Sequence, residues 1–268
     1  MPAVQAVRRS LVAQELLVQR GLDLVARTTA PIPPADLTVL VKTFERPHVL
    51  RRLVKSVRRL HPALPIIAVD DSAEPTRLPG VMTIEMPYDS GVSAGRNEGL
   101  RHVATPFVLL MDDDFVFFRH TGLDAAMRLM ARQPEIDIMG GQVIDLPFHR
   151  RRQPPRGRIY VTPAKPRVPL GSRLGGLEVV DKVPNFFLAR RDRLELVPWD
   201  PQLKLAEHAD FFTRALGTLT TVFNPGLRCL HATTPYDRAY MSKRMDYTES
   251  IRVLEPRYGA GARVRDTD

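Results

Sequence analysis

The chain has 268 residues, 44% hydrophobic and 26% charged, the usage of an ordinary globular protein, which excludes disordered and fibrous classes and leaves room for one large or two small domains. With 39 Lys and Arg against 30 Asp and Glu the formal net charge is +9 and the pI about 10.1, so its partner is expected to be anionic: nucleic acid, a phosphorylated small molecule or an acidic membrane surface. One cysteine, Cys229, and apolar stretches such as Phe107–Met111, far short of the ~20 residues of a membrane span, point to a reduced, cytoplasmic protein.

Residues 3–27 have the pattern of an amphipathic helix. At 3.6 residues per turn Val4, Val7, Leu11, Val18, Leu22 and Val25 share one face, and Arg9, Arg20 and Arg27 line the other. That stripe is expected to dock on the protein's own body or a second subunit in preference to a membrane surface. Arg8, Arg9 and Glu15 interrupt any signal-peptide core. Pro31, Pro33 and Pro34 then mark a linker, so residues 1–34 form a separate segment.

From Leu37 onward, short apolar runs alternate with helical stretches. Leu37–Val41, Ile66–Val69, Val81–Ile84 and Phe107–Met111 have strand character, while Pro47–Leu60, Ser90–Val103 and Leu123–Gln133 have helical periodicity. This alternation predicts an α/β fold, a Rossmann-like, mostly parallel central sheet with flanking helices, whose ligands collect at the carboxyl ends of the strands. Residues 145–175 break the rhythm with eight cations, among them Arg150, Arg151 and Arg152, interleaved with prolines; they are expected to form a loop or irregular hairpin. Beyond it, Leu177–Val183, Phe186–Leu188, Thr218–Phe223 and Leu227–Leu230 are strand-like, Ala206 to Leu216 is helical, Pro235–Pro256 is a further helix, and the basic tail after Tyr258 is loose.

Chemistry-bearing residues follow these strands. Asp112-Asp113-Asp114 comes directly after the apolar run Phe107–Met111; in an extended chain Asp112 and Asp114 point to one side, where a hard cation such as Mg²⁺ or Mn²⁺ would relieve their repulsion and leave room for phosphate oxygens. Asp70-Asp71-Ser72 follows Ile66–Val69 and can receive a base edge or ribose hydroxyls, although Asp and Ser are also ordinary turn formers. Thr43-Phe44-Glu45-Arg46 follows the first strand in the same way. The segment from Ser90 to Asn97 opens a helix with small residues and Arg96, a phosphate-binding pattern without the ending of a P-loop or the spacing of a dinucleotide fingerprint. At another helix start, Glu207-His208-Ala209-Asp210 offers two candidate general bases, His208 and Asp210. His231 ends the last short strand and gains interest only beside the aspartates.

Taken in order, the Thr43-to-Arg46 loop, Asp70-Asp71-Ser72, Gly95-Arg96-Asn97, the string from Met111 to Phe117, Asn185 to Arg190 and Leu205 to Phe212 resemble a GT-A-fold inverting glycosyltransferase. The likeness is greatest to the β-1,4-N-acetylgalactosaminyltransferase family that includes ganglioside-synthesising enzymes, and it covers about Thr38 to His231. It implies a catalytic domain over 35–234, with a nucleotide-binding half (35–118) and an acceptor-side half (119–234), followed by a C-terminal helix and basic tail (235–268). It also implies a UDP-sugar donor, a divalent cation (Mn²⁺ or Mg²⁺) and transfer of an N-acetylhexosamine or hexose to an acceptor hydroxyl with inversion. Family roles place Asp71 on uracil, Thr43, Arg46, Arg96, Asp113 and Asn185 with the sugar nucleotide, Asp112 near ribose and metal, and Asp114 and His231 on the metal. Where many inverting relatives carry a Glu-Asp pair this chain has Glu207-His208, so the base is either Asp210, slightly favoured as a carboxylate, or His208. A nucleotidyltransferase lacks support because no glycine-rich loop follows the first strand, and a nucleic-acid-binding protein because no recognition motif is visible. The cationic stretches around Arg9 and Arg150 are compatible with peripheral association at the inner face of a membrane.

Overall fold

The computed structural model describes residues 2–24, 35–152, 159–233, 240–241 and 247–259. Arg27, Arg156 and Arg158, and much of the helix expected over 235–256, lie outside them. Helices α1 (Pro2–Leu24), α2 (Pro47–Leu60), α3 (Val92–Arg101), α4 (Leu123–Arg132), α5 (Arg191–Leu194), α6 (Glu207–Ala215) and α7 (Thr248–Tyr258) surround one mixed sheet. Its strands are β1 (Leu37–Thr43), β2 (Ile66–Asp70), β3 (Met82–Glu85), β4 (Phe107–Asp112), β5 (Phe115–Val116), β6 (Ile138–Asp145), β7 (Arg150–Arg151), β8 (Arg173–Leu174), β9 (Leu177–Val179), β10 (Phe186–Arg190) and β11 (Thr221–His231). The order is β3-β2-β1-β4-β10-β6-β11-β9-β8, with β5 on β11 and β7 on β6.

Strand alternation builds the layers. Leu37, Val39 and Val41 of β1, with Leu109 and Met111 of β4, enter one core with Leu50, Leu53 and Val57 of α2 and Met127 and Met130 of α4. Leu40, Val108 and Leu110 enter the opposite core with Leu100 of α3 and Phe211 and Phe212 of α6. Each strand is thus apolar on both faces, as a sheet covered on both sides requires. β1, β2, β3 and β4 run parallel, β10 is antiparallel between β4 and β6, and β6 and β11 are parallel again.

Several expectations need correction. The stretch read as two strands, Thr218–Phe223 and Leu227–Leu230, is one strand, β11, that keeps β6 as its partner across an irregularity between Asn224 and Arg228. Pro225 and Gly226 form a bulge, closed by the Gly226 N–H donating to Asn224 Oδ1 at 2.8 Å. β9 stops at Val179, and Lys182 and Val183 continue as buried loop rather than strand. The cationic stretch after Asp145 does form a short hairpin, Ile144 and Asp145 pairing with Arg151 and Arg150. The largest difference is the orientation of α1. Val12, with Leu16 beside it, packs on Val116, Phe118, Ile144, Leu146 and Leu230, whereas Val4, Val7, Leu11, Val18 and Leu22, the face expected to dock, are exposed. Asp23 anchors the far end of α1 through its pair with Arg59 (2.6 Å) and by accepting the Arg119 N–H (2.8 Å), so polar residues help select the docked face.

Candidate active site

β1, β2 and β4 end at one edge, with Thr43 opposite Asp70 and Lys42 opposite Asp112. Asp70 serves the turn itself, accepting N–H groups of Ser72 (3.0 Å) and Thr76 (2.8 Å). Asp71 points inward, where it pairs with Lys42 and accepts the Gly91 N–H at 2.9 Å, joining the start of α3 to the strand ends. Lys42 is the one charged residue of β1; burial pulls its pKa below the ordinary 10.5 against the opposing pull of Asp71. Gly91 has φ 92°, and a Cβ there would lie 2.6 Å from Lys204 Cγ, so this close passage of two loops needs glycine.

The three consecutive aspartates have separate environments. Asp113 is buried, accepts Thr43 Oγ1–H at 2.7 Å and pairs with Arg46. Burial raises its pKa above the usual carboxylate value despite Arg46. Arg46 also reaches Asp114 Oδ2 (3.2 Å) and carries the Tyr240 ring 3.7 Å from its guanidinium carbon. Asp112 is more open and pairs with Arg96 at 3.1 Å. Arg96, itself 3% exposed, turns its other nitrogen to Glu207 Oε1 at 2.7 Å. One buried cation therefore links the end of β4 to the first residue of α6.

Two cavities open on this edge. The larger, ≈ 580 Å³, is bounded among others by Lys42, Thr43, Asp71, Asp113 and Lys204. The second, ≈ 340 Å³, is bounded by Asp114, Arg152, His208 and His231. Arg46, Asp112, Asn185, Leu205, Glu207 and Tyr240 line both. The carboxylates of that shared wall are Asp112 and Glu207. Glu207, read in the sequence as the first member of the Glu207-His208 pair and not as a base, follows Ala206, whose φ of 60° is unusual for a residue with a side chain.

The two expected bases are placed differently. His208 lines the second cavity and donates Nε2–H to Val183 O at 2.6 Å. Burial, with Lys182 and Arg96 nearby, puts its pKa well below 6.5, so the ring is neutral. Asp210 lines neither cavity. It is fully buried and accepts from Arg214 Nε (2.8 Å), Tyr258 Oη (2.8 Å) and Arg257 Nη1 (3.2 Å), which makes it a fastening between α6 and α7.

At the far side of the second cavity His231 Nε2 lies 3.5 Å from Asp114 Oδ1, and its Nδ1 is 2.7 Å from Asp145 Oδ1. Burial works against a charged ring here, but Asp114 and Asp145 outweigh it and raise the pKa of His231. Asp145, also missed in the sequence, is itself held below the carboxylate range: burial opposes its charge, and hydrogen bonds from His231 and Arg152 prevail. A carboxylate and an imidazole oriented by a second carboxylate suit Mn²⁺ better than the all-oxygen preference of Mg²⁺. Among the described residues no group of three or more His, Cys, Asp and Glu is gathered to hold a metal ion, so a cation here would take the rest of its ligands from phosphate and water oxygens.

Residues 38–196 match the family model for glycosyl transferase family 2. The chain belongs to glycosyl transferase family 2. It is 37% identical over 198 residues to the β-1,4 N-acetylgalactosaminyltransferase 1 of Homo sapiens, an alignment covering 69% of this chain and 37% of the relative. It is 33% identical over 206 residues to β-1,4 N-acetylgalactosaminyltransferase 2 of Mus musculus (73% and 39%). The chain thus spans well under half the length of these curated relatives. Among solved structures, residues 1–349 of S. aureus TarS superpose with a TM-score of 0.56 at 18% identity, over 73% of this chain and 60% of that one. The complex of the same fragment with UDP-GlcNAc gives 0.52 at 18% identity, over 71% and 58%. The fold is accordingly the GT-A glycosyltransferase fold.

Proposed function

We propose that this family member is a metal-dependent inverting transferase that moves a sugar, an N-acetylhexosamine or hexose, from a UDP-sugar to an acceptor hydroxyl. The observation that carries the proposal is Glu207, a carboxylate on the wall shared by two cavities and held by Arg96. The larger cavity takes the nucleotide, with Asp71 and Lys42 toward the base and Thr43 at the strand end. The second takes the acceptor. The relatives named for N-acetylgalactosaminyl transfer, and TarS structures determined with UDP and with UDP-GlcNAc, support this class of donor.

Inversion requires a single displacement. Glu207 accepts the proton of the acceptor hydroxyl as its oxygen bonds to the anomeric carbon, and the bond from that carbon to the diphosphate oxygen breaks, releasing UDP. Arg96, paired with Glu207 at 2.7 Å, holds the carboxylate in place before the acceptor arrives. Asp114 and His231 would hold the divalent cation, with Asp112 on the wall of the same cavity; such an ion, when bound, would neutralise charge developing on the diphosphate. Asp145 fixes the His231 ring through Nδ1.

Calorimetric titration of UDP tests the donor site. UDP binds in the presence of Mn²⁺, binds at least tenfold more weakly in excess chelator, and Asp114→Asn abolishes that difference without loss of fold. Equal affinity with and without chelator would rule out the cation.

A further inference from the structure

α1 meets the body of the protein with one edge only. Val12 is 3% exposed within its small core, whereas Val4 (72%), Val7 (59%) and Val18 (56%), with Leu11 and Leu22, form an exposed stripe roughly 100° around the helix from it. Two contacts mark the border between stripe and body. His149 Nε2 lies 2.9 Å from Glu15 Oε1 on α1, and Phe148, its neighbour in the chain, is 79% exposed. Arg8 Nη2 donates to Thr233 Oγ1 at 3.3 Å, and Thr233 lines the second cavity. Arg150 and Arg151, directly after Phe148 and His149, are exposed on β7.

We propose that the α1 stripe and Phe148 dock on an anionic lipid surface, the apolar side chains entering the boundary between headgroups and acyl chains while Arg8, Arg150 and Arg151 face lipid phosphates. An apolar stripe bordered by cations on a helix lying flat is the form suited to that boundary. Charge favours lipid over a second copy: two chains of net charge +9 paired through this face would bring both sets of arginines together. The seam is also broken for helix pairing, because exposed Gln14 and Gly21 occupy the alternate positions between Leu11, Val18 and Leu22. Docked in this way, the mouth of the second cavity opens at the bilayer, where a lipid-borne acceptor could enter; this consequence alone rests on assigning that cavity to the acceptor.

Sedimentation of the full chain with vesicles tests the proposal independently of any transfer reaction. The protein pellets with phosphatidylcholine–phosphatidylglycerol vesicles at low salt and not with phosphatidylcholine alone, and added salt releases it. Leu11→Asp combined with Val18→Asp lowers the bound fraction about tenfold with an unchanged thermal midpoint, and Arg150→Glu with Arg151→Glu weakens binding in the same direction. Absence of pelleting, pelleting unaffected by the stripe variant, or a solution dimer that the stripe variant dissolves would each overturn it.

Discussion

Glu207 and Asp210 lie three residues apart on α6 with opposite surroundings, one on the wall of two cavities and the other sealed by three donors from α6 and α7. Glu207→Gln should therefore lower transfer by about 10²–10⁴ with UDP affinity within a few fold, measured as initial rate and calorimetric Kd. Asp210→Asn should act on stability, lowering it by about 1–3 kcal/mol in denaturant unfolding while the folded enzyme keeps most of its rate, because the change weakens hydrogen bonds without touching the shared wall. The acidic run at 112–114 was legible in the sequence as three carboxylates directly after an apolar strand, and the structure puts Asp112 and Asp113 on the larger cavity and Asp112 and Asp114 on the second. That Glu207 lines the cavities and Asp210 does not was not legible, since Arg257 and Tyr258, which claim Asp210, lie almost 50 residues away. Lys42 carried a readable signal, as a cation in a strand otherwise apolar but for its threonines. Asp145 carried none, because its role depends on a histidine brought beside it only by the pairing of β6 with β11.

At the scale of elements, α3 must lie close enough to the sheet for Gly91 to reach Asp71 and Arg96 to reach Asp112. Gly99 sets that distance: a Cβ there would collide with Leu40 and Val69 of β1 and β2. Gly99→Ala should cost about 1–3 kcal/mol by overpacking and also weaken UDP binding, both readable from one protein by thermal unfolding and calorimetry. The parallel half of the sheet was legible because β1, β2 and β4 are bounded apolar runs with helical patterns between them. The opposite half was less so. β11 spans a Pro-Gly pair that ordinarily ends a strand and resumes pairing only because β6 continues beside it. The expectation that the hydrophobic stripe of α1 docks on the protein's own body failed for a related reason: the most hydrophobic stripe of an isolated helix is not the one that Asp23, Arg59 and Arg119 hold against the body.

Across the whole molecule, the buried neutral histidine His208 ties stability to pH. Its native pKa is depressed below the ordinary 6.5, so below about pH 6.5 the unfolded chain binds a proton that the native chain refuses, and stability falls as pH falls. His231, whose native pKa is raised, acts in the opposite sense, so the histidine contribution is read as a difference. His208→Gln should remove up to about 1.4 kcal/mol per pH unit of slope between pH 6.5 and 5.5, measured by urea unfolding of the variant against the parent. The same architecture gathers strand ends, a buried arginine bridge and two cavities into one face, and the chemistry proposed for that face is most directly tested by product analysis. The purified chain is incubated with a panel of sugar nucleotides, with Mn²⁺ or with chelator, and the released nucleotide is identified. Release of UDP from a UDP-N-acetylhexosamine or UDP-hexose, dependent on Mn²⁺ and lost in Glu207→Gln with acceptor present, is the predicted result. Release of pyrophosphate with nucleotide transfer, or turnover indifferent to both the cation and Glu207, would contradict it.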